Sequence, residues 1–292
     1  MIVVTTPTGG IGRQVLERLL ESGAPVRVVV RDPARLPPAA RGRVEIVEGS
    51  HGDADVVDRA FAGADAVFWL VPPNPGATDV DASYVDFTQP ACDAIRKNGV
   101  KHVVGISALG RGVAKNAGLV SAALKMDDLI AATGVSYRAL AMPSFMDNLL
   151  RQVATIKNQG VFFGPIAADL KTPTCATSDI AAVAAKLLLD SSWYGWGDVP
   201  VLGPEDLSFN DIAGIMSEVL EKPVRFQQIP LEAFRARLIE HGMSSAMAQG
   251  MFDMMRAKNE GLDNAVARTP QTSTPTSFRQ WCQDVLKPAV LA

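Results

Sequence analysis

The sequence predicts an α/β protein, a Rossmann-type doubly wound parallel sheet with a smaller, mostly helical C-terminal part. Two patterns and one motif point there. Up to about residue 145, short runs rich in β-branched residues alternate with longer helical stretches. Those runs are apolar throughout, which suits parallel strands covered on both faces. Between the first run and the first helix stands a glycine-rich turn, Thr6-Pro7-Thr8-Gly9-Gly10-Ile11-Gly12.

In chain order, Ile2 to Val4 is the first strand, and Val15, Leu16, Leu19 and Leu20 then recur at helical spacing before Gly23. PVRVVV follows as the second strand and RVEIV (43–47) as the third. DADVVDRAFAG (53–63) reads as a helix and DAVFWLV (65–71) as a strand. A helix over about 81–98 closes at Asn98-Gly99, and HVVGIS (102–107) is the fifth strand. A helix over 118–133 stops at Gly134 and SYRALAM (136–142) ends the series. Right-handed crossovers between these strands give the doubly wound sheet.

Beyond residue 145 the rhythm loosens. Helices are expected at 145–158, at 178–190 with Ser178 as N-cap, and at 207–220 from Ser208. PVRFQQIP (223–230) reads as a strand, and further helices lie near 230–241, 244–258 and 276–286. Five of the ten methionines fall between 243 and 255, suited to helix packing or to an adaptable apolar wall over a cleft. The expected division is residues 1–150, joined by 174–203, as the sheet-bearing part and 151–292 as the smaller, mostly helical part.

With 28 Lys plus Arg against 31 Asp plus Glu in 292 residues, the net charge is −3 and no long run of one sign occurs. That argues against nucleic acid as a partner. Cys92, Cys175 and Cys282 are an odd number set far apart, so neither a disulfide framework nor a metal site is expected. No apolar run is long enough for a membrane span and no basic leader opens the chain, so a cytoplasmic protein is expected. The partners expected are a small-molecule substrate and a second copy of the chain, as a homodimer.

The turn at Thr6 to Gly12 has the place and character of a dinucleotide site. Gly9 and Gly12 keep a three-residue spacing, with Thr6 where the first glycine of the usual three stands. Bare backbone and the positive end of a helix suit a pyrophosphate there. At the end of the second strand comes Arg31-Asp32-Pro33, where an acidic residue would accept from a ribose hydroxyl. Arg31 instead offers a planar cation for a 2′-phosphate, with Arg35 as a helper, so NADP(H) is expected over NAD(H).

The glycine turn, VVVRDP (28–33), AFAGADAVFWLVPP (60–73), KHVVGISALG (101–110), LKMDDLIAATGVSYRAL (124–140) and PSFMDNL (143–149) together resemble the NmrA-like branch of the atypical short-chain dehydrogenase/reductase superfamily. Its members include triphenylmethane, quinone and isoflavone-type reductases and cofactor-sensing regulators. The resemblance implies an NADP(H)-binding domain and a covering C-terminal part. It implies Thr6 and Thr8 to Gly12 at the pyrophosphate, Arg31 at the adenosine phosphate, Ser50 and His51 by the adenine, and Leu70, Val71 and Pro72 along the ribose and pyrophosphate. By the same resemblance Ser107 and Lys125 stand near the nicotinamide ribose as catalytic candidates, and Phe145, Met146 and Asn148 line the substrate side.

The sequence departs from the best-known members of that superfamily at one chemical point. They place a tyrosine four residues before the active lysine, and here that position is Ser121. Tyr84, Tyr137 and Tyr194 have the wrong spacing, so the Ser-Tyr-Lys mechanism is not available. A quinone, dye or enone spreads the incoming charge and has less need of such an acid. The expected function is therefore NAD(P)H-dependent reduction of a small conjugated acceptor, the alternative being a non-catalytic NADP(H)-binding redox sensor. For Lys125 a plain ion pair with Asp128 is the competing expectation, and for Ser107 a local backbone cap. His102 reads as a surface or edge residue and Cys175 as an inert thiol. Trp193-Tyr194-Gly195-Trp196 reads as packing under a turn.

Overall fold

In the computed structural model, which describes residues 1–292, the six predicted strands form one parallel sheet with a seventh, Trp196–Pro200, which opens within the stretch read from sequence as packing under a turn. Its elements are β1 (Ile2–Val4), α1 (Gly10–Glu21), β2 (Val26–Val30), β3 (Glu45–Glu48), α2 (Ala54–Phe61) and β4 (Ala66–Trp69). They continue through α3 (Val80–Asn98), β5 (His102–Ala108), α4 (Leu119–Ala131) and β6 (Ser136–Met142). Then come β7 (Ser144–Phe145), α5 (Val153–Gln159), β8 (Val161–Gly164), β9 (Thr172–Cys175), α6 (Thr177–Leu189) and β10 (Trp196–Pro200). The sheet order is β10-β6-β5-β4-β1-β2-β3, so the winding reverses between β1 and β4, the place where such sheets leave a crevice.

Successive strand residues point to opposite faces, and here both faces are apolar. Val4, Val28 and Phe68 pack under Leu16 and Leu19 of α1 and Ile180 and Ala184 of α6. Val3, Val29 and Val67 pack under Phe61, Ile95 and Met126 of α2, α3 and α4. Each large side chain buried this way contributes about 1.5–3 kcal/mol. Gly105 in β5 makes room for a neighbour: a Cβ there would lie 2.4 Å from the Tyr137 hydroxyl.

Further along the chain are β11 (Asp206–Leu207), α7 (Phe209–Leu220), β12 (Arg225–Gln228), α8 (Leu231–Glu240) and α9 (Ser245–Asn259). β7, β9 and β11 form a small sheet and β8 pairs with β12. A third core around Met146, Phe162, Met216, Phe278 and Trp281 holds this part together. α9 lies against α3 and α4, and a Cβ on Gly118 would fall 1.9 Å from the Gly250 carbonyl. Ser244 caps α9 by accepting from the Met247 amide (3.1 Å) and ties it to the loop before α3: its amide donates to Pro75 O (2.9 Å) and its hydroxyl to Ala77 O.

Three local expectations give way to longer-range partners. The helix expected over 145–158 is divided into β7, a 3-10 turn over Met146–Gln152 and α5, because residues 144–145 are drawn into pairing with β9. α6 begins at Thr177 rather than after a Ser178 cap; the Asp147 carboxylate accepts from the Thr177 amide (3.0 Å) and hydroxyl (2.7 Å) instead. His102 is buried on central strand β5, its Nε2 3.1 Å from Trp193 O. Trp193 packs there, while Tyr194 stays 77% exposed.

Candidate active site

At the end of β1, the Thr5 hydroxyl donates to Phe68 O (3.0 Å) and accepts from the Leu70 amide (3.3 Å), which clamps β1 to β4 beside the crevice. The chain then turns tightly, the Gly9 amide donating to Thr6 O (3.1 Å). Gly9 caps α1 without any side-chain bond, and the amides of Gly10, Ile11 and Gly12 have no acceptor within the protein. Gly12 is indispensable to this shape, since a Cβ there would stand 2.0 Å from Thr6 O. The buried Thr6 Oγ1 likewise lacks a hydrogen-bond partner. Three free amides at a helix N-terminus are a place for an anion.

A cleft of about 990 Å³ opens from this turn. It is lined by Thr6, Thr8 to Gly12, Arg31, Ser50, His51, Leu70, Pro72, Phe145 and Asn148 among the residues singled out from the sequence. Arg31 and Arg35 both line it and neither is ion-paired. Asp32 is turned aside, its carboxylate accepting from the Ala34 amide (3.0 Å) as the cap of a short 3-10 turn. The end of β2 therefore presents cations to the cleft and no carboxylate.

His51 is buried against Trp69 and Phe87, with Nε2 3.0 Å from Leu70 O. Burial pushes its pKa down to about 4, outweighing the bond to Leu70, so it lines the cleft as a neutral ring at pH 7.

Lys125, Ser107, Val71 and Met146 lie outside the cleft lining. Lys125 forms an exposed ion pair with Asp81 of α3, and Asp128 is taken by Arg111 (2.7 Å). The Ser107 hydroxyl donates to the buried carboxylate of Asp127, which also accepts from Tyr137 (2.6 Å) and Arg111 (3.3 Å). Burial nevertheless raises Asp127 to about 6. Val71 packs on the core beneath α3, and Met146 is buried in the third core. None of the three tyrosines reaches the cleft.

The structure adds lining residues that the sequence reading did not single out for the site. Asp79, which caps α3 at the Ala82 amide (2.9 Å), and Phe87 form one wall. Asp147, Arg151 and Thr177 form the other. Arg151 was detectable in principle, because it follows Asn148 by one 3-10 turn and so shares its face. Thr177 was not, since only the fold sets it beside Asp147.

The model of the family described as NmrA-like matches residues 1–281. A Streptomyces griseus protein named (4-alkanoyl-5-oxo-2,5-dihydrofuran-3-yl)methyl phosphate reductase is 30% identical over 285 residues, 96% of each chain. An NAD(P)H azoreductase from Xenophilus azovorans is 28% identical over 87% of this chain and 86% of its own. The crystal structure of the Citrobacter sp. triphenylmethane reductase complexed with NADP(H) shares the fold, with a TM-score of 0.81 at 19% identity over 99% of this chain and 100% of that one. With a match that runs from the first strand to the last helices, over a sheet whose switch point carries the glycine turn, the chain belongs to the NmrA-like family.

Proposed function

We propose that the protein is an NADPH-dependent reductase that delivers a hydride to a small conjugated acceptor of the quinone, dye or enone type. The observation that carries this reading is the joining, in one cleft, of three free helix amides and the two unpaired arginines that follow β2, Arg31 and Arg35. The names of the relatives support it: a reductase of a dihydrofuranone, an azoreductase and a triphenylmethane reductase with NADP(H).

In this reading Thr8 to Gly12 hold the pyrophosphate, Arg31 with Arg35 holds the adenosine 2′-phosphate, and Ser50 and His51 flank the adenine. Reduced nicotinamide, when bound, supplies the hydride. The chain's own residues orient it: Phe145 and Asn148 border the acceptor. A conjugated acceptor suits a cleft that no tyrosine lines. Lys125 is held on Asp81, so Lys125→Ala is expected to change turnover by less than about fivefold, as for loss of an exposed pair. The same reading takes the protein to be a cytoplasmic homodimer.

Binding without turnover, a redox sensor, is the second reading. It is favoured by one observation: Ser107 and Lys125 are both engaged away from the cleft. Following the near-ultraviolet absorbance of NADPH with a panel of quinones, triphenylmethane and azo dyes and enones separates the two. The reductase is expected to consume NADPH only when an acceptor is present. Tight NADPH binding with no consumption by any acceptor would establish the sensor instead.

A further inference from the structure

Three arginines line the cleft without an ion-pair partner: Arg31, Arg35 and Arg151. The first two follow β2. Arg151 stands on the 3-10 turn that follows β6 and β7, and the order β6-β5-β4-β1-β2 separates the two parent strands by four steps. At strand spacings of ~4.8 Å that is roughly 19 Å, the length of an extended dinucleotide rather than of one phosphate. The pyrophosphate already has the amides of Gly10, Ile11 and Gly12 after β1, one strand from β2 and three from β6. Arg151 is thus a cation at the acceptor end that the proposed cofactor does not use.

Its neighbours leave it free. Asp147, four residues earlier, has both carboxylate oxygens committed to Thr177, and Asp79 across the cleft caps α3. The Arg151 side chain is exposed and its guanidinium makes no hydrogen bond within the protein. Asn148, one 3-10 turn earlier, is equally unbonded and lines the same wall. A planar guanidinium beside a free amide is suited to a phosphate, sulfonate or carboxylate oxygen pair.

We propose that Arg151, assisted by Asn148, determines specificity by binding an anionic group on the acceptor, so that the preferred substrates are conjugated molecules bearing a phosphate, sulfonate or carboxylate. This deepens the reductase reading and rests on it for the identity of the occupant. The test is calorimetric titration of a matched pair, anthraquinone-2-sulfonate and 2-(hydroxymethyl)anthraquinone, into protein holding NADP+, which binds acceptors but cannot reduce them. The sulfonate is expected to bind at least about tenfold more tightly than the neutral analogue, and Arg151→Gln to abolish that difference while NADP+ affinity stays as in the wild type. Equal affinities in the wild type would overturn the proposal. So would an Arg151→Gln variant that weakens NADP+ and keeps the preference for the sulfonate, because Arg151 would then serve the cofactor. Failure of NADP+ itself to bind would strike the reductase reading, and titrating the same pair into the free protein would still read Arg151.

Discussion

At one end of the cleft the lining is a single stretch, Thr5 to Gly12, flanked by Arg31, Ser50 and His51; at the other, Phe145, Asn148 and Arg151 meet Thr177 and the loop before α3. The glycine turn is shaped by a local bond, the Gly9 amide on Thr6 O, and anchored to β4 through Thr5. The second depends on Asp147 reaching Thr177 and on Ser244 reaching Ala77. Local construction gives a rigid cradle whose shape is fixed by chain geometry. Long-range construction gives a pocket whose walls belong to different elements and can change independently, which suits an end that must fit the acceptor.

The largest effect should come from damaging the local end. Gly12→Val forces a side chain into the Thr6 carbonyl, and NADPH affinity is expected to fall by about a thousandfold or more, roughly 4 kcal/mol. Calorimetry beside a circular-dichroism check of the fold reads this directly. Retained affinity would mean the turn does not cradle phosphate.

Two buried titrating groups, one in the cleft lining and one outside it, act with opposite sign. Burial lowers His51 from 6.5 to about 4, so below pH 6.5 the unfolded chain binds a proton that the folded one refuses, and stability falls as pH drops towards 4. Burial raises Asp127 of α4, outside the lining, from 3.8 to about 6, so the folded protein takes the proton first and stability falls as pH rises towards 6. Each effect amounts to about 3 kcal/mol across its window. Denaturant unfolding between pH 4 and 7 should show Asp127→Asn gaining on the wild type as pH rises and His51→Gln gaining as pH falls. Parallel curves for all three proteins would refute the assignment of either group.

Arg31→Ala is expected to weaken NADPH by about 30-fold, about 2 kcal/mol, and to leave NADH unchanged, because the lost bonds are to a charged phosphate that NADH lacks. Equilibrium titration of nicotinamide fluorescence measures both. The smallest effect belongs to the long-range end. Ser244→Ala removes the α9 cap and the tie to Ala77, costing about 1 kcal/mol and about 2 °C in Tm. Acceptor KM should rise in that variant while cofactor affinity holds.

The same contrast decides how much was legible in the sequence. Six of the seven strands, their order and the glycine turn follow from apolar runs and glycine spacing within a few residues; β10 does not, because its sequence WGDVP carries no apolar run and only pairing with β6 makes it a strand. The cleft lining around the glycine turn is legible for the same reason, down to Arg31 facing the cleft while Asp32 turns aside. What escaped depends on partners far along the chain. Lys125 meets Asp81, 44 positions away, and Ser107 meets Asp127, 20 away. The start of α6 is decided by Asp147, 30 positions earlier, rather than by Ser178. No local pattern reports such pairings, because each element satisfies its own periodicity whichever neighbour it finds.

The most direct measurement is a calorimetric titration of the wild-type protein with NADPH and, separately, with NADH. NADPH should bind at least about 30-fold more tightly, as two unpaired arginines at the end of β2 require. Equal affinity for the two, or no heat from either, would contradict the assignment of the cleft.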